Sequence, residues 1–117
     1  MTTEQIGKRL TELCRQGKIH EAQEELYAHD IESRDPVHFP IKSAKGKKAV
    51  SEKGKQFAAL IDQRHGFSFS DPLVCGRYFT AAMVLDVTMK GRGRTKLEEI
   101  CVYEVNDGKI VAEQFFF

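Results

Sequence analysis

The sequence predicts an α+β domain in which helices come first and a curved, mostly antiparallel sheet follows, with the helices packed on one face of the sheet. Three observations carry this expectation. Apolar residues recur at helical spacing in the opening segment and again after Gly46; from Arg77 onward they alternate with the two-residue period of a strand; and Asn106-Asp107-Gly108 interrupts that alternation with hairpin chemistry. A chain of 117 residues can bury one continuous core without needing a second, so residues 1–117 are read as one domain.

Thr2 or Thr3 can cap a first helix whose residues Ile6, Leu10, Leu13 and Cys14 share one face, and Gly17 stops it. A short second helix places Ile19, Ala22 and Leu26 on one stripe and turns Glu21, Glu24 and Glu25 to water. The stretch Tyr27 to Pro36, YAHDIESRDP, reads as a first strand closed by a proline, which has no N–H to continue a ladder. From Val37 to Gly46, Pro40 and Gly46 signal a surface connection, and a lysine cluster begins at Lys42.

A third helix is expected from about Lys47 to Arg64, with Val50, Phe57, Ala58 and Ile61 as its buried stripe, His65 capping its end and Gly66 as the stop. Phe67 to Cys75 reads as a short strand broken at Asp71-Pro72. Arg77 to Met89 is a long one, with Phe79, Ala81, Met83, Leu85, Val87 and Met89 facing the core. The turn KGRGR leads to a strand from Thr95 to Val105, and the Asn-Asp-Gly hairpin to a last strand from Lys109 to Phe117.

Composition narrows the function classes. The apolar fraction of 41% and charged fraction of 30% are those of a soluble globular protein, and no apolar run approaches membrane-spanning length. The opening MTTEQIGKRL has neither an apolar core nor a small-residue cleavage site, so a cytoplasmic location is expected, with no membrane partner. With 18 basic against 17 acidic residues the overall field does not suit a phosphate backbone, and nucleic acid is not an expected partner. Cys14, Cys75 and Cys101 are odd in number and lack ligand spacing, so they are read as small buried apolar residues. His29 and His38 have no third ligand at fixed spacing, and no metal site is expected.

Two helices, a strand reading LYAHDIESRDP, a helix opened by a glycine and strands ending in NDGKIVAEQFFF resemble the nuclear transport factor 2-like superfamily of cone-shaped α+β barrels, in particular its SnoaL-like and ketosteroid isomerase-like branch. The resemblance spans nearly the whole chain, is specific for fold and is weak for activity, because the same cone hosts isomerases, cyclases, hydrolases, dehydratases and non-catalytic dimers. It implies that Asp35, in the Asp-Pro pair eight residues after Tyr27, stands where the steroid isomerases carry their general base. Their oxyanion partners are missing: the first helix has no tyrosine, and the aspartate of the penultimate strand falls near Ile100 or Cys101. A steroid isomerase is therefore not expected.

The same alignment turns Leu97, Glu99, Cys101, Tyr103 and Val105 inward on the penultimate strand, and Glu113, Phe115 and Phe117 inward on the last. Asp35, Glu99, Glu113 and Tyr103 are then the candidate acid/base residues, since burial raises a carboxyl pKa and suits it to proton transfer. The alternative is that both glutamates are solvated or paired with Lys96, Arg92 or Arg94, and that Asp35 is a strand terminator paired with Arg34 or His38. Tyr27 reads as a core anchor with a buried hydroxyl partner. The lysines Lys42, Lys45, Lys47, Lys48, Lys53 and Lys55 read as a solvated helix start.

Two functions follow. In the first, an apolar pocket lined by Tyr27, His38, Phe57, Phe79, Met83, Leu85, Leu97, Cys101, Phe115 and Phe117 accepts a small lipophilic ligand with a polar end; Asp35 removes a proton next to a carbonyl while Glu113 or Tyr103 stabilises the enolate, an isomerase, cyclase or lyase reaction that needs no cofactor. In the second, the cavity is filled by its own side chains and the protein is a non-catalytic dimer. In both, Ala82, Val84, Ile100 and Val102 on the outer sheet face predict a symmetric homodimer.

Overall fold

The computed structural model describes residues 1–117. Helix α1 spans Thr3–Arg15 and opens with a reciprocal capping box, the Gln5 amide donating to Thr2 Oγ1 at 3.1 Å and the Thr2 amide to Gln5 Oε1 at 2.8 Å. Gly17 closes it in the left-handed region, at φ 75°, where a side chain would be strained. Helix α2 is Ile19–Leu26, and strand β1, Tyr27–Arg34, follows without a gap.

The connection after β1 contains a two-residue strand, β2 (Ala44–Lys45), paired with Glu32 and Ser33. Helix α3 is Lys47–Ala59, and β3, Ile61–Phe69, starts where the sequence predicted a further helical turn. Two physical facts shorten the helix. Asp62, Gln63, Arg64 and His65 offer no apolar residue for a buried stripe, and the second half of the long strand β5 (Tyr78–Met89) needs a partner for its backbone groups, which residues 61–69 supply from Ile61↔Met89 to Phe69↔Met83. His65 is accordingly not a helix cap; its Nε2 lies 2.7 Å from Thr88 Oγ1 on the neighbouring strand. Ala58, expected inside, is exposed.

Asp71-Pro72 breaks the next segment as expected, leaving β4 as Leu73–Cys75 against the start of β5. Cys75 is exposed, whereas Cys14 and Cys101 are buried. Strand β6 is Gly93–Asn106, entered through the KGRGR turn, and β7 is Lys109–Phe116. Asp107 and Gly108, at φ 49° and 73°, form the tight turn between them.

The sheet order is β2-β1-β7-β6-β5-β3. All pairings are antiparallel except that of β1 with β7, which is parallel. The inward residues of β5 fall into two groups. Phe79 and Ala81 join α1, α2 and the first strand in the main core, while Leu85, Val87 and Met89 pack with Phe57, Leu60, Ile61 and Leu97 in a second cluster. Each large side chain so buried contributes about 1.5–3 kcal/mol. Gly7 lets α1 approach closely, since a Cβ there would lie 3.2 Å from Pro72 Cβ and 3.4 Å from the Phe79 ring. No helix is long and apolar enough to cross a membrane.

Candidate functional site

Between the helices and the inner sheet face lies a cavity of about 160 Å³, lined by 19 residues of which 13 are hydrophobic. Helices α1 and α2 contribute Leu10, Cys14, Ile19 and Gln23; α3 contributes Val50, Lys53, Gly54 and Phe57; the sheet contributes Tyr27, Phe67, Phe69, Met83, Glu99, Tyr103, Glu113 and Phe115. Asp35, Phe39 and Phe117 complete the wall.

Strand register explains the polar part of the wall. Ser33, Glu113, Tyr103 and Phe79 are successive partners across β1, β7, β6 and β5, so their side chains stand in one row on the inner face. Ser33 donates to Glu113 Oε2 at 2.6 Å, and the Tyr27 hydroxyl donates to Glu113 Oε1. Both Glu113 oxygens are thus engaged. Burial still pushes its carboxyl above the ordinary range, against the opposing pull of those hydrogen bonds and of the Lys53 charge.

Asp35, just past the end of β1, is held by its own amide, which donates to Ser43 Oγ at 2.9 Å. Its carboxylate meets Lys53 Nζ at 2.6 Å, with the two side chains only 7% and 11% exposed. The lysine also donates to Ser33 Oγ and lies 5.3 Å from the Phe115 ring centroid. A chain of contacts therefore runs Asp35, Lys53, Ser33, Glu113, Tyr27 through the cavity wall. Glu99 stands apart from it, with no hydrogen bond or ion pair; burial first, and then the nearby Asp35 charge, push its carboxyl up to about 7.

The family model for the SnoaL-like domain matches residues 1–117. The chain belongs to the SnoaL-like family. Its structure is similar to that of a Mesorhizobium loti protein provisionally described as a SnoaL-like polyketide cyclase, with 35% identity, TM-score 0.93 and full coverage of both chains. A nuclear transport factor 2-like protein of unknown function from Burkholderia pseudomallei shares the fold at 13% identity and TM-score 0.80, over 100% of this chain and 92% of that one. So does a Catenulispora acidiphila protein with a ketosteroid isomerase-like fold, solved with trimethylamine, at 16% identity and TM-score 0.74, over 96% and 84%. No curated protein matches in sequence.

In this SnoaL-like domain the cavity brings together Asp35, Glu99, Tyr103 and Glu113 with Tyr27, Phe57, Met83, Phe115 and Phe117. The other residues expected at the pocket lie elsewhere. Phe79 is fully buried and stacked on Tyr103 at 4.7 Å, Cys101 is buried beneath the wall, and Leu85 and Leu97 belong to the second cluster. His38 is exposed, its ring edge-on to Phe117 at 5.8 Å.

Neither Arg34 nor His38 pairs with Asp35, since Arg34 bonds Glu32 at 2.5 Å; nor does Arg94 pair with the inner glutamates, since it bonds Asp86 at 2.9 Å. Lys53 is the residue sequence reasoning missed. Nothing distinguishes it from its neighbouring lysines except its spacing from Val50 and Phe57, i+3 and i−4, which puts it beside the buried stripe. Cys14 and Cys101 are pushed up to about 12 by burial, so both stay as thiols and neither serves as a nucleophile near neutral pH.

Proposed function

We propose that this SnoaL-like protein binds a compact lipophilic molecule in the cavity and moves a proton on it without a cofactor, with Asp35 as the base, in a reaction of the isomerase, cyclase or lyase type. The observation that carries the reading is the Asp35–Lys53 pair, almost fully withdrawn from water at the wall of an otherwise apolar cavity. Likeness to the Mesorhizobium loti protein favours the cyclase branch.

In this reading Asp35 accepts a proton from the carbon beside a carbonyl, and the electron pair moves onto the carbonyl oxygen. The Tyr103 hydroxyl, kept protonated because burial raises it well above its ordinary range, donates to that oxygen. Lys53 supplies positive charge beside the base, and the proton returns from Asp35 to carbon. Glu113 is the second-row support in this scheme, because Tyr27 and Ser33 already occupy its oxygens.

The test is α-deuteration of cyclohexanone in heavy water, followed by NMR, with calorimetric binding of the same ketone. Wild type should exchange faster than buffer, and Asp35→Asn should lose about 10²–10⁴-fold of the enhancement while still binding. Equal exchange in the two proteins removes Asp35 as the base.

A non-catalytic role for the outer sheet face is the second reading. Ile100 and Phe116 are register partners on adjacent strands and are 48% and 49% exposed, beside Ala82 and Val102. Such a neighbouring apolar pair favours a symmetric homodimer through this face, and that dimer is compatible with either use of the cavity.

A further inference from the structure

Four charged side chains face the cavity, the acids Asp35, Glu99 and Glu113 and the base Lys53. Their partners are unequal. Asp35 and Lys53 neutralise each other at 2.6 Å, and Glu113 receives Tyr27 and Ser33. Glu99 has no partner in the chain, and the three acids do not converge on a metal-ligating arrangement. A ligand entering the cavity therefore meets one carboxyl free to bind it.

The rest of the wall is unusually aromatic, with Phe39, Phe57, Phe67, Phe69, Phe115 and Phe117 around the same space. Aromatic faces carry negative quadrupole charge and attract cations at about 6 Å. The wall already uses this attraction once, at Lys53 over Phe115. An incoming anion would find the lysine occupied by Asp35 and Ser33, whereas an incoming cation would find both an unpaired carboxyl and π faces. The volume of about 160 Å³ sets the size. A cavity of roughly 150 Å³ accommodates benzene, so one ring or a short branched alkyl group fits and a fused polycycle does not.

We propose that the cavity recognises a compact lipophilic ammonium compound, its single ring or branched alkyl part against the phenylalanines and its charged nitrogen on Glu99. This rests on the reading of the cavity as a ligand site and names the polar end of its ligand. The carboxyl must give up its proton to receive the ammonium. Burial and the Asp35 charge disfavour its ionisation, Lys53 favours it, and Glu113 and Tyr103 share its cavity, so with ionisation near pH 7 the bound cation takes over the compensating role.

Calorimetric titration of the full chain with benzylamine, benzyl alcohol and phenylacetate tests this, because the three share a ring and differ in charge. Benzylamine, which stays protonated throughout, should bind at least about tenfold tighter than the alcohol at pH 8, and lose about tenfold in affinity at pH 6 as Glu99 takes up its proton. At pH 6.5, wild type titrated in buffers of different ionisation enthalpy should release protons on binding benzylamine and none on binding the alcohol.

Glu99→Gln should bind the alcohol normally and lose the preference for the amine, while Glu98→Gln on the exposed face keeps it. Alcohol or phenylacetate binding as tightly as the amine, absence of proton release, or an unchanged preference in Glu99→Gln overturns the proposal while leaving the ligand site standing. Failure of all three probes to bind overturns both.

Discussion

Asp35 Oδ2 and Lys53 Nζ meet at 2.6 Å across the cavity wall, the acid delivered by the end of β1 and the base by the middle of α3. The pair ties α3 to the end of β1. Removing one partner strands the other. Lys53→Met should destabilise the fold by about 3–5 kcal/mol, as for other broken buried pairs, and the double variant Asp35→Asn/Lys53→Met should recover most of that loss. Urea unfolding of Lys53→Met, Asp35→Asn and the double variant measures it, and additive losses would mean that the two charges do not depend on each other.

Tyr27 and Glu113 form the second buried contact. Tyr27→Phe keeps the ring and deletes only the hydroxyl that donates to Glu113, so it should cost about 1–3 kcal/mol. Because that hydrogen bond holds the Glu113 carboxyl down, its loss should also move the Glu113 titration further upward. Carbon-detected NMR of the carboxyl reads the shift, and an unmoved titration would place the hydroxyl elsewhere.

Glu99 gives the protein a signature in pH. Its carboxyl rises from 4.5 to about 7 on folding, so between those values the native state holds a proton that the unfolded chain has released. Stability should accordingly fall as pH rises from 4.5 to 7 and level off above. The difference in urea midpoint between wild type and Glu99→Gln isolates this contribution. A difference that stays constant across the window would show a carboxyl with an ordinary titration.

The outer face carries the oligomer prediction. Ile100→Lys places a charge beside Phe116 and should convert a dimer at micromolar concentration into a monomer without lowering the melting temperature of the protomer. Sedimentation equilibrium decides it, and a wild-type monomer at that concentration removes the interface.

Local chemistry made much of this protein legible. The spacing of Ile6, Leu10, Leu13 and Cys14, the glycine after α1, the Asp107-Gly108 turn and the alternation of β5 each reflect forces acting over a few residues, whereas the inward placement of Glu99, Tyr103 and Glu113 is what the family resemblance implied. The end of α3 was not legible in that way. Ile61 suits a helical stripe as well as a strand edge, and the unpaired half of β5 decides between them.

Of the stretch Tyr27 to Pro36, the sequence by itself determined that Asp35 ends a strand before a proline, since proline removes the donor that a ladder needs. Its partner was decided by tertiary structure alone. A lysine among lysines costs least in water, so Lys53 reads as solvated until α3 packs over the end of β1 and leaves it 11% exposed against a carboxylate. The Glu113 network has the same origin. It needs β1 and β7 side by side in parallel, and that register, which pairs Ser33 with Glu113, is a long-range pairing between residues 80 positions apart that no local pattern specifies.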